Sequence, residues 1–162
     1  MSIGYRSVLT LLVVLAACGD EDPTTPESRQ EALRLAQSFA VAVAAGNWKD
    51  ATEEARAPFV FRGRTWKNEA ELTKNLPPQL ALLKDEIAGS EEVEVFSSAD
   101  LLRGRWPRGE TISEGQRVDR MEKLGVQTGG FIVRLSRESK KGVLLVMNLE
   151  GGTRLRVRGL HD

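Results

Sequence analysis

FIVRLSRESKKGVLLVMNLEGGTRLRVR, residues 131–158, decides the fold class of this chain. From Phe131 to Ser136 the residues alternate, sending Phe131, Val133 and Leu135 to one face and Arg134 to the other. SRESKKG, residues 136–142, reads as a polar turn. The run from Val143 to Leu149 is almost continuously apolar, as expected of a central strand covered on both faces. Gly151-Gly152 signals a tight hairpin. Thr153 to Arg158 then alternates again, with Leu155 and Val157 inward and Arg154, Arg156 and Arg158 outward. Three strands in a meander therefore close the chain.

Upstream, the hydrophobic period changes from two to between three and four. Ala32, Leu35, Ala36, Phe39, Ala40 and Val43 form a stripe on an amphipathic helix, which Ser28 and Glu31 open as a capping box and Gly46 ends. Asn47 caps a second helix carrying Trp48, Ala51 and Ala55 on one face, and Pro58 stops it. In PFVFRG, Phe59 and Phe61 point one way, so the stretch is a short half-buried strand ending at Gly63. Asn68 and Glu71 cap a third helix through Leu72 and Leu76. Pro77-Pro78 is expected to interrupt it, with Leu80, Leu83 and Ile87 on a further helical stretch. Glu92 to Phe96 reads as a strand with Val93 and Val95 inward, or as an edge. Residues 97–128 resist assignment beyond a short helix within 114–123. Helices first and an antiparallel meander last make an α+β domain over residues 28–162.

With 23 basic and 23 acidic residues the chain carries no net charge. The balance is uneven along it: residues 18–100 hold 9 basic against 16 acidic side chains, and residues 101–162 hold 13 against 7. Nothing in this pattern favours nucleic acid.

At the other end, Arg6 precedes ten uncharged residues, Val8 to Ala17, and then Cys18, the only cysteine. Spanning a bilayer as a helix takes roughly 20 apolar residues, so ten are too few. They have the length of the apolar region of a secretory signal. Leu15-Ala16-Ala17-Cys18 resembles the lipobox of bacterial lipoproteins. The resemblance implies cleavage between Ala17 and Cys18, removal of residues 1–17, and acylation of Cys18 with diacylglycerol and palmitate-type chains. Gly19, not an acidic residue, follows the cysteine, which points to the outer rather than the inner membrane in a cell with both. GDEDPTTPE, residues 19–27, cannot bury a core and reads as a solvated tether of about 30 Å at full extension.

The domain resembles the nuclear transport factor 2-like superfamily, also called cystatin-like. The first helix, the turn Ala44-Ala45-Gly46-Asn47-Trp48, the strand Phe59-Val60-Phe61-Arg62-Gly63, the helix from Asn68 to Leu76 and the three final strands carry the likeness. It implies helices packed into the concave face of a curved antiparallel sheet, forming a cone with a pocket at its open end. Phe59, Phe61, Trp66, Phe131 and Met147 become candidates for lining that pocket, against the alternative that they are plain core. Residues 97–128 depart from the likeness, as an insertion covering or reshaping the pocket mouth would.

Available chemistry is narrow. Enzymes of that superfamily that isomerise or dehydrate pair a carboxylate with tyrosine or histidine. Here the only tyrosine is Tyr5, within the signal, and the only histidine is His161. Asp100 and Asp119 remain as candidate general bases. Ser139 beside Lys140 lies in a turn, a poor place to desolvate a lysine. No cofactor or metal is expected. Arg154, Arg156 and Arg158, with Arg134 from a neighbouring strand, could offer guanidinium forks to an anionic partner, against the alternative of a solvated edge strand. The expectation is a lipid-anchored, non-enzymatic binding or scaffold domain of the cell envelope. The alternative is an envelope enzyme, isomerase- or dehydratase-like, using a lone carboxylate in the cone pocket. A homodimer through the sheet face around Leu144 and Val146 is a third expectation.

Overall fold

The structure, a computed structural model, describes residues 25–137 and 142–162. Cys18, the acidic tether up to Thr24 and the Ser139–Lys140 pair lie outside the described residues.

Helix α1 runs from Pro26 to Ala44 and begins two residues before the expected capping box. Thr25 is the N-cap, its hydroxyl accepting from the Ser28 N–H, and Pro26 occupies the first turn, where its missing N–H costs nothing. The stripe Ala32, Leu35, Ala36, Phe39 and Val43 is buried as the spacing predicts. Asn47 caps α2, Trp48–Glu54, through the Asp50 N–H. Ala55 does not continue α2; it opens strand β1, Ala55–Phe61, and Pro58 lies inside that strand where the ladder is irregular. Proline has no N–H for a regular ladder, so the irregularity falls where the chemistry requires it.

Arg62 and Gly63, at φ 46° and 76°, form a two-residue turn into β2, Arg64–Trp66, which pairs antiparallel with β1. Helix α3, Glu69–Ala88, is capped by Asn68 and passes straight through Pro77 and Pro78. The expected interruption does not occur. Leu72, Leu76, Leu80, Leu83 and Ile87 form one unbroken buried stripe, and splitting the helix would turn half of it away from the core. The carbonyls left without donors belong to Thr73 and Lys74, both exposed residues that water can reach.

Strands β3 (Glu92–Ser97), β4 (Phe131–Ser136), β5 (Val143–Glu150) and β6 (Arg154–His161) complete a six-stranded sheet ordered β2-β1-β6-β5-β4-β3. The meander β4-β5-β6 is antiparallel as expected, and β3 pairs antiparallel with β4. The sheet as a whole is mixed rather than antiparallel, because β1 runs parallel to β6. Strand β3 lies at the edge of the sheet, and it still turns Val95 inward against the core, while Val93 stays exposed. Arg29 of α1 lies against that edge and donates to the Val95 carbonyl at 2.7 Å, which leaves one fewer open acceptor for an intruding strand.

Both faces of the sheet are covered. On one, α1 and α3 pack over Phe59, Phe61, Phe131, Val133, Leu135, Leu145, Met147, Val157 and Leu160. On the other lies the segment 97–128. It holds α4 (Ser98–Leu102), one-turn 3-10 segments at Pro107–Gly109 and Glu114–Gln116, and α5 (Arg117–Leu124). Leu101, Trp106, Met121, Leu124 and Val126 of this segment close over Ile132, Leu144 and Val146. Gly125 ends α5 at φ 79°, and a Cβ there would stand 3.0 Å from the Val60 side chain, so the close approach of α5 to β1 needs glycine. The sheet face expected to meet a second copy at Leu144 and Val146 is thus occupied from within the chain.

Candidate binding site

The β1–β2 hairpin builds a recess that brings aromatic, cationic and amide side chains together. Alternation along β1 sends Phe59 and Phe61 to the helix side, and register places Trp66 directly opposite Phe59. The Trp66 ring stacks on both, at 5.5 Å from Phe59 and 5.6 Å from Phe61, with planes 10° and 12° apart. Helix α3 supplies the facing wall, since Asn75 and Gln79 stand one turn apart beside the buried Leu72-Leu76-Leu80 stripe. Phe61, Trp66, Asn75, Gln79, Arg62 and Arg64 enclose a recess of about 390 Å³.

Arg62 is held in place from several sides. Its guanidinium grips the Asp162 carboxylate through Nε, at 2.7 Å, and through Nη2, and lies 5.3 Å from the centre of the Phe61 ring. This hydrogen bonding holds the Asp162 carboxyl below its ordinary pKa and raises that of Arg62. The Arg64 side chain, by contrast, is exposed and makes no hydrogen bond or ion pair with any described residue, and the same is true of the side chain of Gln79, a half-buried residue. Asn75 uses its Nδ2 on the Glu71 carbonyl at 2.7 Å, and its Oδ1 is not engaged. Among the described residues no carboxylate lines the recess.

Of the pocket-lining candidates, Phe61 and Trp66 are brought together here. Phe59, Phe131 and Met147 are completely buried in the main core. Arg62, Arg64, Asn75 and Gln79 were not anticipated. Their signal was present in the Arg62-Gly63-Arg64 turn and in the four-residue spacing of the two amides, but it needed the α3–hairpin packing to acquire meaning.

Neither candidate base is free. Asp100 is buried at the start of α4, where Ser97 and Asp100 form a capping box. Its carboxylate takes Arg29 at 2.6 Å and Arg105 at 3.0 Å, together with the Ser97 N–H at 3.0 Å. Burial alone would raise this carboxyl's pKa; the bonds from Arg29 and Ser97 outweigh it and hold the group below its ordinary range. Asp119 is an exposed residue of α5 paired with Lys123 at 2.7 Å. His161 points its Nε2 at the Leu124 carbonyl, 3.1 Å away, and burial depresses its pKa.

The arginines do not form the free row that alternation suggests. Strand β6 is internal, between β1 and β5, and β4 is separated from it by β5. Arg134 is buried and paired with Glu94 at 2.5 Å. Arg156 is buried between Glu54, at 3.2 Å, and Glu150, at 3.4 Å. Arg158 lies 3.6 Å from Glu150 and donates to the Ala57 carbonyl. Arg154 alone of the four is exposed. Three of the four guanidinium groups therefore pair with glutamates of this chain, because a buried cation must be paired.

Among the described residues no three His, Cys, Asp or Glu side chains are grouped to hold a metal ion. No helix among them is long and apolar enough to cross a membrane. Compared with protein-family models, with curated proteins and with solved structures, the chain matches none.

Proposed function

We propose that this chain is a lipid-anchored protein of the cell envelope whose domain binds an anionic ligand without transforming it. The recess at the β1–β2 hairpin carries the reading. It joins an aromatic wall to a cation and two amides with open hydrogen-bonding capacity, and no described acid or base lines it. Binding needs such groups, whereas proton transfer needs a carboxylate or imidazole aimed into the site. The buried carboxylate, Asp100, is bound by two arginines, which supports binding over proton transfer at that residue.

The lipobox-like Leu15-Ala16-Ala17-Cys18 supports the anchor. Multiple acyl chains hold a protein far longer than one, at roughly 0.8 kcal/mol per buried methylene. A nuclear transport factor 2-like cone belongs to the same reading. The placement of α1 and α3 on one sheet face, with the hairpin β1–β2 between α2 and α3, supports it.

Expression of the full chain in a bacterial host supplied with radiolabelled palmitate tests the anchor. Wild-type protein is expected to take up label and sediment with membranes. Cys18→Ser is expected to lose the label and accumulate as precursor or soluble protein. Undiminished label and sedimentation of the Cys18→Ser protein would overturn the assignment.

A further inference from the structure

We infer that the hairpin recess takes a uronic-acid unit of an acidic saccharide; this rests on the binding-domain reading above and names its ligand class. Four observations converge. The recess, about 390 Å³, is within the size range of small-ligand sites, near its lower end. Its aromatic wall is rigid, since Trp66 is fixed by stacking on Phe59 and Phe61. The apolar surface that Phe61 and Trp66 contribute to the lining suits the C–H groups of a pyranose ring, which lie between rims of hydroxyls. The opposite wall offers Asn75 Oδ1 as an acceptor and the Gln79 amide as both donor and acceptor, the set that vicinal hydroxyls need.

The cation decides between neutral and acidic sugars. Arg62 is already neutralised by Asp162, but the Arg64 guanidinium, also in the lining, pairs with no described residue. A planar guanidinium fork meets a carboxylate with two parallel hydrogen bonds, and a uronate carries one carboxylate at the edge of its ring. Among the described residues no acid lines the recess, and the nearby Asp162 carboxylate is taken up by Arg62. An aromatic carboxylate could satisfy Trp66 and Arg64 but would leave Asn75 and Gln79 facing its apolar ring, so the two amides select the sugar.

The test is titration of the full-length protein in detergent micelles with trigalacturonate, galactotriose or benzoate, followed by tryptophan fluorescence and calorimetry. Trigalacturonate is expected to bind, and galactotriose to bind about tenfold more weakly, the scale of one charge-assisted hydrogen bond. Arg64→Gln is expected to remove that preference, and Gln79→Ala to weaken both sugars while circular dichroism shows each variant folded. Trigalacturonate affinity unchanged in Arg64→Gln would overturn the proposal, as would its failure to bind at millimolar concentration. Benzoate binding as tightly as trigalacturonate would overturn the saccharide assignment and leave a binding domain standing. Palmitate labelling of Cys18 is read on the same preparations, so loss of the anchor reading is separately visible.

Discussion

Asp100 shows how a single residue can look catalytic in sequence and be structural in the fold. It is the most deeply buried acid of the described chain, a position that often marks a functional group. Its partners come from three places: Arg29 on α1, Arg105 beyond α4, and the Ser97 N–H at the junction of β3 and α4. One carboxylate thereby ties the N-terminal helix to the segment on the opposite sheet face. Because its folded pKa is below the ordinary 3.8, its contribution to stability is complete above that value and is lost as pH falls through the folded value. Wild-type protein should therefore lose stability on acidification below about pH 4, and Asp100→Asn should show a flatter profile in that range. At neutral pH the variant should be less stable by about 1–3 kcal/mol, measured by urea denaturation. Equal stability of the two proteins at pH 7 would show that the arginines contribute nothing.

At the scale of elements, α3 and β6 separate local preference from tertiary placement. Two adjacent prolines say that a helix should end, yet α3 continues because its apolar stripe is continuous on both sides of them. An interior proline costs about 3 kcal/mol, offset in part by the lower entropy of the unfolded chain. Replacing exposed Pro78 with alanine restores a donor to the Lys74 carbonyl and should stabilise the protein by roughly 1–2 kcal/mol, seen as a higher thermal midpoint. A lower midpoint would mean that the proline ring itself packs productively. In β6 the alternation of arginines is legible, and their outward direction is right. What alternation cannot say is that Glu54 and Glu150 wait on the outer face, or that β6 is an inner strand flanked by β1 and β5.

The whole molecule is organised by a sheet with two unlike coverings. Long helices pack on one face, and short helices and 3-10 turns pack on the other, in two separate apolar clusters. Leu101 is fully buried in the second cluster. Leu101→Ala should cost about 2–5 kcal/mol, as large-to-small core changes do. Hydrogen exchange should accelerate first in residues 97–128 and in the outer-facing residues they cover, while α1 and α3 stay protected. Uniform acceleration across the chain would show that the two coverings unfold as one unit.

The sequence by itself determined the α+β class, the N-caps at Asn47 and Asn68, the buried helix stripes, the C-terminal meander and the two-sided burial of β5. These depend on period and on neighbours within a few residues, and such patterns are local. Only the tertiary structure decided that β1 lies parallel to β6, that residues 97–128 cover Leu144 and Val146, and that Arg134 and Arg156 are neutralised inside the chain. It also decided where the recess lies, since Trp66 and Gln79 meet only when α3 packs beside the hairpin. The physical reason is common to all four. Pairing between distant segments is set by which faces close over one another, and no local periodicity encodes the partner.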